Sequence, residues 1–129
     1  MMNENKFTPH AEEVLRLSQE AAEDMGHGYV GTEHLLLGLV REEEGLAHRV
    51  LCEYGVTDEM VTSIVRRSVG SGAAGTAPMQ GLTPRAKSVV ELAVTESARR
   101  GDSYIGTEHL LMGLLREGSN MGLRILQTI

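Results

Sequence analysis

Gly31-Thr32-Glu33-His34-Leu35-Leu36 returns as Gly106-Thr107-Glu108-His109-Leu110-Leu111, an offset of 75 residues that holds well beyond these two stretches. Thr8-Pro9 recurs as Thr83-Pro84, Gly26 as Gly101, Tyr29 as Tyr104, Gly38 as Gly113 and Arg41-Glu42 as Arg116-Glu117. Aligned without a gap, residues 7–51 and 82–126 share 19 of 45 positions. Self-similarity of this kind marks one supersecondary unit used twice. A site in the first copy is therefore expected to have a counterpart in the second.

Each copy opens with two helix-start signals. A Thr side chain accepts a bond from an otherwise orphan backbone N–H, and Pro at the first helical position loses no useful donor. In the first copy Ala11, Val14, Leu15, Ser18, Ala21, Ala22 and Met25 then fall at helical spacing, and Gly26 suits a left-handed stop. This predicts a helix of about 17 residues, ~25 Å long. Its partner runs from Pro84 through Ala86, Val89, Val90, Ala93 and Ser97 to Gly101. Small residues near the middle of each suit a close approach of neighbouring backbones. After a short turn, Thr32 or Thr107 is expected to cap a second helix, with Glu33 or Glu108 in its first turn. Leu35, Leu36, Leu39 and Val40 form its apolar stripe, echoed by Leu110, Leu111, Leu114 and Leu115. A third, short helix is expected over about residues 46–54 and 121–128, and a fourth from Thr57, carrying Met60, Ile64 and Val65.

The predicted fold is thus all-α: a pseudo-two-fold tandem repeat of two helical units with up to four helices each. Repeat one spans 7–69, a Gly-rich linker 70–81 and repeat two 82–129, together one module over 1–129. The second copy has no counterpart of the fourth helix, and a natural repeat is expected to continue for about one more.

Composition narrows the function. Apolar residues make up 41% of the chain but aromatics only 3%, which suits packed helices better than a sheet. The net charge is −6, with 18 acidic against 12 basic residues and no basic stripe, so nucleic acid is not expected as a partner. No apolar run approaches the ~20 residues that cross a bilayer, and the N-terminus lacks a signal-peptide layout. Neither membrane association nor secretion is therefore expected. The single cysteine, Cys52, forms no intrachain disulfide, fits a reducing cytoplasm and is expected as a small buried apolar residue.

Catalytic motifs are missing. There is no nucleophile elbow, no phosphate loop, no His-Glu-x-x-His and no Cys-x-x-Cys, so no cofactor and no metal site is expected. Glu33 and His34, like Glu108 and His109, are adjacent on a helix and point about 100° apart, so they do not converge on one ion. Each histidine reads as a packed structural residue. Glu33 and Glu108 admit two readings: complements to the positive end of their helices, or carboxylates held for a cation. Thr8 and Thr83 likewise read either as plain caps or as helix starts that suit phosphate.

The paired Thr-Pro-x-Ala openings and the paired Gly-Thr-Glu-His-Leu-Leu-x-Gly-Leu-x-Arg-Glu segments resemble the Clp N-terminal (Clp repeat) domain, most closely that of ClpC-type AAA+ unfoldases. The resemblance covers 6–129 and implies a pseudo-two-fold helical fold without catalytic activity. It implies partners as well: protein clients, MecA-like adaptors, a parent AAA+ ring and the ClpP peptidase. It further implies recognition of arginine-phosphorylated proteins, with Glu33 and Glu108 as pocket glutamates and Thr8 and Thr83 at the phosphate-facing helix starts. His10 follows the first Thr-Pro where Arg85 follows the second, so unequal pockets are expected. Two other readings stay open: a standalone accessory protein that docks on a Clp ring, and a small metal-dependent enzyme using the Glu-His pairs.

Overall fold

A computed structural model describes residues 6–69 and 81–129. Among these residues the chain forms seven helices and no named strand: α1 (Pro9–Met25), α2 (Thr32–Arg41), α3 (Leu46–Glu53), α4 (Asp58–Val69), α5 (Pro84–Arg99), α6 (Thr107–Glu117) and α7 (Met121–Thr128). The linker expected at 70–81 lies, apart from Gly81, outside the described residues.

The long helices begin as their sequences dictate. Thr8 Oγ1 accepts from Ala11 N at 3.0 Å and Thr83 Oγ1 from Ala86 N at 3.1 Å, each followed by Pro at the first helical position. Gly26, at φ 71°, closes α1 in the left-handed region that glycine enters without steric cost.

The central helices begin differently from expectation. Their N-caps are Gly31 and Gly106, and the nitrogen Nδ1 of His34 or His109 accepts the cap's backbone N–H at 2.9 Å. Thr32 and Thr107 lie inside the helix and reach across to the other repeat. Thr32 Oγ1 accepts Gly122 N at 3.0 Å, and Thr107 Oγ1 accepts Ala47 N at 3.1 Å. Each therefore satisfies an orphan donor at the start of the opposite repeat's third helix.

One close approach organises each half. α1 lies on α2 and α5 on α6, and in both pairs a glycine allows the contact. A Cβ on Gly38 would strike the Val14 carbonyl and Ser18 Oγ, and one on Gly113 would strike the Val89 carbonyl. α2 is buried on all sides, with Leu36, Leu37 and Leu39 at 0–1% exposure, and fully burying such a side chain is worth about 1.5–3 kcal/mol. α4 covers α2 with Val61 and Val65, both at 0% exposure, while Met60, expected on this helix with Ile64 and Val65, turns outward at 40%. Val40 beneath α4 is 3% exposed, whereas its repeat counterpart Leu115 is 49% exposed.

The halves are laced by a pseudo-symmetric set of main-chain bonds. Thr8 N donates to Ile105 O and Thr83 N to Val30 O, each at 3.0 Å. Ile105 N returns to Lys6 O and Val30 N to Gly81 O, each at 2.8 Å. The start of each repeat's first helix is thereby fixed against the turn preceding the other repeat's second helix. Cys52 is exposed, contrary to its expected burial. Short α3 directs Ala47 and Leu51 inward, and a step of about 100° turns position 52 outward. There its Sγ lies 3.2 Å from His48 Nε2.

Candidate functional site

The lacing decides which threonine meets which glutamate. Thr83 is held against Val30, one residue before the cap of α2, so the start of α5 faces Glu33 and not Glu108. A pocket of about 500 Å³ opens between them, lined among others by Tyr29, Glu33, Thr83, Arg85, Met121 and Arg124. The site is composite: its carboxylate comes from repeat one, its helix start and both arginines from repeat two.

Glu33 is the unusual group here. It is 5% exposed, yet its carboxylate makes no ion pair among the described residues. Its hydrogen-bond donor is Tyr29 Oη, 3.2 Å from Oε2. Burial first, and then the Glu33 charge, push the Tyr29 phenol up to about 12, so it stays a neutral donor at ordinary pH. A nearly buried carboxylate facing a pocket without a counter-ion is suited to receive a cationic fork of N–H donors.

The opposite wall suits an anion. At the start of α5, Pro84 has no N–H, Ala86 N is taken by Thr83 Oγ1 and Lys87 N by Thr83 O. The N–H of Arg85 is left to the pocket at the positive end of a 16-residue helix. Arg85 Nη1 donates to Glu117 Oε2 at 3.0 Å, and its side chain remains 59% exposed. Hydrogen bonds from Asn120 and Ser119, and more weakly the Arg85 guanidinium, hold the Glu117 carboxyl below the usual range. Glu117 therefore stays charged and keeps Arg85 in place.

Around Glu108 the same parts recur. Thr8 sits against Ile105, Tyr104 Oη donates to Glu108 Oε2 at 2.9 Å, and that bond raises the Tyr104 phenol. Glu108 is half-buried and borders an apolar groove of about 430 Å³ that includes Leu46, Val50 and Leu115. Of the residues expected at the sites, the structure thus brings together Glu33 with Thr83, and sets Thr8 beside the turn that leads to Glu108.

His34 and His109 are structural, each at 0% exposure. With Nδ1 accepting the cap N–H, the neutral ring carries its proton on Nε2. His34 gives it to His27 Nδ1 at 2.7 Å, and His109 gives it to Asp102 Oδ2 at 2.7 Å. Both nitrogens of each ring are committed within the protein. Tyr29, Arg124 and Met121 had no assigned role in the sequence. The recurrence of Tyr29 as Tyr104 and Arg49 as Arg124 at the 75-residue offset is the signal that could have found two of them.

Crossed helical repeats with composite pockets between them define a paired-repeat binding module. The chain belongs to the Clp repeat (R) N-terminal domain family, whose model matches residues 6–129. It is 46% identical over 124 residues to "Chaperone protein ClpB" of Oceanobacillus iheyensis, and 44% identical over 124 residues to "Negative regulator of genetic competence ClpC/MecB" of Bacillus subtilis. Each alignment covers 96% of this chain and 15% of the relative, so the chain spans about 15% of the length of these curated relatives. The crystal structure of the N-terminal domain of ClpD from Arabidopsis thaliana superposes with a TM-score of 0.78 at 27% identity, covering 98% of this chain and 86% of that one.

Proposed function

We propose that this chain is the substrate- and adaptor-recruiting N-terminal domain of a ClpC-type ATP-dependent unfoldase, non-catalytic itself, that recognises arginine-phosphorylated proteins. Repeats 7–69 and 82–129 would act as one module, passing clients and MecA-like adaptors to an AAA+ ring and its ClpP peptidase in the cytoplasm. The observation that carries this reading is Glu33: a carboxylate at 5% exposure, without an ion pair among the described residues, across a pocket from a capped helix start and two arginines. A phosphoarginine side chain matches both walls. Its remaining guanidinium N–H groups suit the carboxylate, and its phosphoryl oxygens suit the Arg85 N–H, the dipole of α5 and the Arg124 guanidinium. Glu108 and Thr8 are the corresponding residues of the pseudo-equivalent site.

The test is calorimetric titration of the Glu33→Ala, Glu108→Ala double variant with phosphoarginine, beside circular dichroism of its fold. Loss of binding with helicity retained is expected. Affinity retained in the double variant would reject both glutamates as the receiving groups.

A further inference from the structure

We infer that the two sites read different states of arginine: the Glu33–Thr83 pocket takes the phosphorylated side chain, and the Glu108–Thr8 site favours the unphosphorylated guanidinium. This rests on the functional reading above and divides it between the repeats. Around Glu33 the acidic groups are Glu33 and Glu117, and the basic ones are Arg85 and Arg124. Arg124 makes no ion pair among the described residues. The pocket is formally neutral before a ligand enters, with a guanidinium to spare.

At the positions 75 residues earlier, His10 replaces Arg85, Glu44 replaces Ser119 and Leu46 replaces Met121, while Arg49 and Glu42 keep the characters of Arg124 and Glu117. The backbone sets the starts of α1 and α3, and with them Leu46, beside the start of α6 and Glu108. Thr8 N bonds Ile105 O, Ala47 N bonds Thr107 Oγ1, and Gly45 packs directly on the Thr107 side chain. His10 Nδ1 meets Glu42 Oε2 at 3.2 Å in the arrangement that Arg85 makes with Glu117.

Three carboxylates (Glu42, Glu44, Glu108) stand against Arg49, while Arg100 and Asp102, which also line the groove beside Glu108, pair with one another. A phosphoryl dianion there loses a forked donor and meets an added negative charge, together worth roughly tenfold or more in affinity. A bare guanidinium gains from the same change. Its aliphatic stem also finds apolar surface on Leu46, 48% exposed, and Leu115, 49% exposed.

The experiment is a pair of NMR titrations of the whole chain, with phosphoarginine and with N-acetyl-arginine amide, following the backbone amides of Gly31–Glu33 and of Gly106–Glu108. Phosphoarginine should shift the first group at about tenfold lower concentration than the second, and the arginine amide should reverse the order. Exchanging the exposed residues His10→Arg and Glu44→Ser should bring the two phosphoarginine affinities within about threefold, and Arg85→His with Ser119→Glu should weaken the first site about tenfold. Equal phosphoarginine affinities in the unaltered chain, or exchanges that leave both sites unmoved in variants with unchanged melting, would overturn the division alone. No phosphoarginine shift at either site would overturn the functional reading and this inference with it.

Discussion

His27 Nδ1 lies 2.7 Å from His34 Nε2, and in the second repeat Asp102 Oδ2 occupies the same place against His109 Nε2 at the same 2.7 Å. One buried imidazole thus gives its proton to another imidazole, while its twin gives it to a carboxylate. The difference has consequences in acid. Protonating His34 would put a proton on Nδ1, where the Gly31 N–H already points, in a site that burial, His27 and Arg41 all make hostile to positive charge. Its pKa is held down to about 3, against an ordinary value of 6.5. Below about pH 6.5 the unfolded chain binds a proton that the native chain refuses until about pH 3. Stability from this group is complete above 6.5 and falls by about 1.4 kcal/mol per pH unit as pH drops through that window. Urea denaturation at pH 7.5, 6 and 5 should show the loss. His27→Asp, which copies the second repeat, should flatten it, and an unchanged slope in that variant would contradict the assignment to this pair.

The glycines at the helix crossings should tolerate nothing larger. Gly38→Ala and Gly113→Ala each drive a methyl into a carbonyl of the facing helix, an overpacking worth about 1–3 kcal/mol. Gly28→Ala meets nothing within 4 Å and serves as the control. Chemical denaturation midpoints should fall clearly for the first two and stay within about 0.5 kcal/mol for the third.

Thr32 and Thr107 hold the repeats together through buried bonds to Gly122 N and Ala47 N. Thr→Val at either position keeps the shape but strands a buried donor, a loss of about 1–3 kcal/mol. Thr→Ser keeps the hydroxyl and should recover most of the thermal midpoint. A loss for Ser with none for Val would assign the effect to the methyl group instead.

Tyr29→Phe removes the hydroxyl that bonds Glu33. The carboxylate then has more to gain from a cationic ligand but is less well oriented. Because orientation sets a bidentate contact, phosphoarginine binding should weaken about three- to tenfold with the fold intact, as isothermal calorimetry would show. A gain in affinity would mean that the phenol competes with the ligand.

Much of the fold was legible because its determinants are local. Thr8-Pro9, Gly26, Thr83-Pro84 and the 3.6-residue spacing of apolar side chains act within a few residues of one another, and the helices begin and end where they dictate. The 75-residue repeat carried the rest of the architecture. Two features lay beyond reach because they depend on the crossing of the repeats, and a third because it depends on the shortness of α3. Thr32 has the sequence context of a cap, but its oxygen is taken by Gly122 N from the far repeat. Thr83 could be matched with Glu33 only through its bond to Val30, 53 residues earlier. Cys52 has apolar neighbours in sequence, but so short a helix has room for few inward positions, and Ala47 and Leu51 fill them.

The most direct measurement is a calorimetric titration of the unaltered chain with free phosphoarginine, using arginine and phosphoserine as competitors at matched ionic strength. Both walls of the Glu33–Thr83 pocket are needed for tight binding, so phosphoarginine should bind with neither the phosphate-only ligand nor the guanidinium-only ligand displacing it from that pocket at equal concentration. Equal competition by phosphoserine would reduce the pocket to a helix-start anion site, and no phosphoarginine binding by a folded sample would remove the degradation-mark reading altogether.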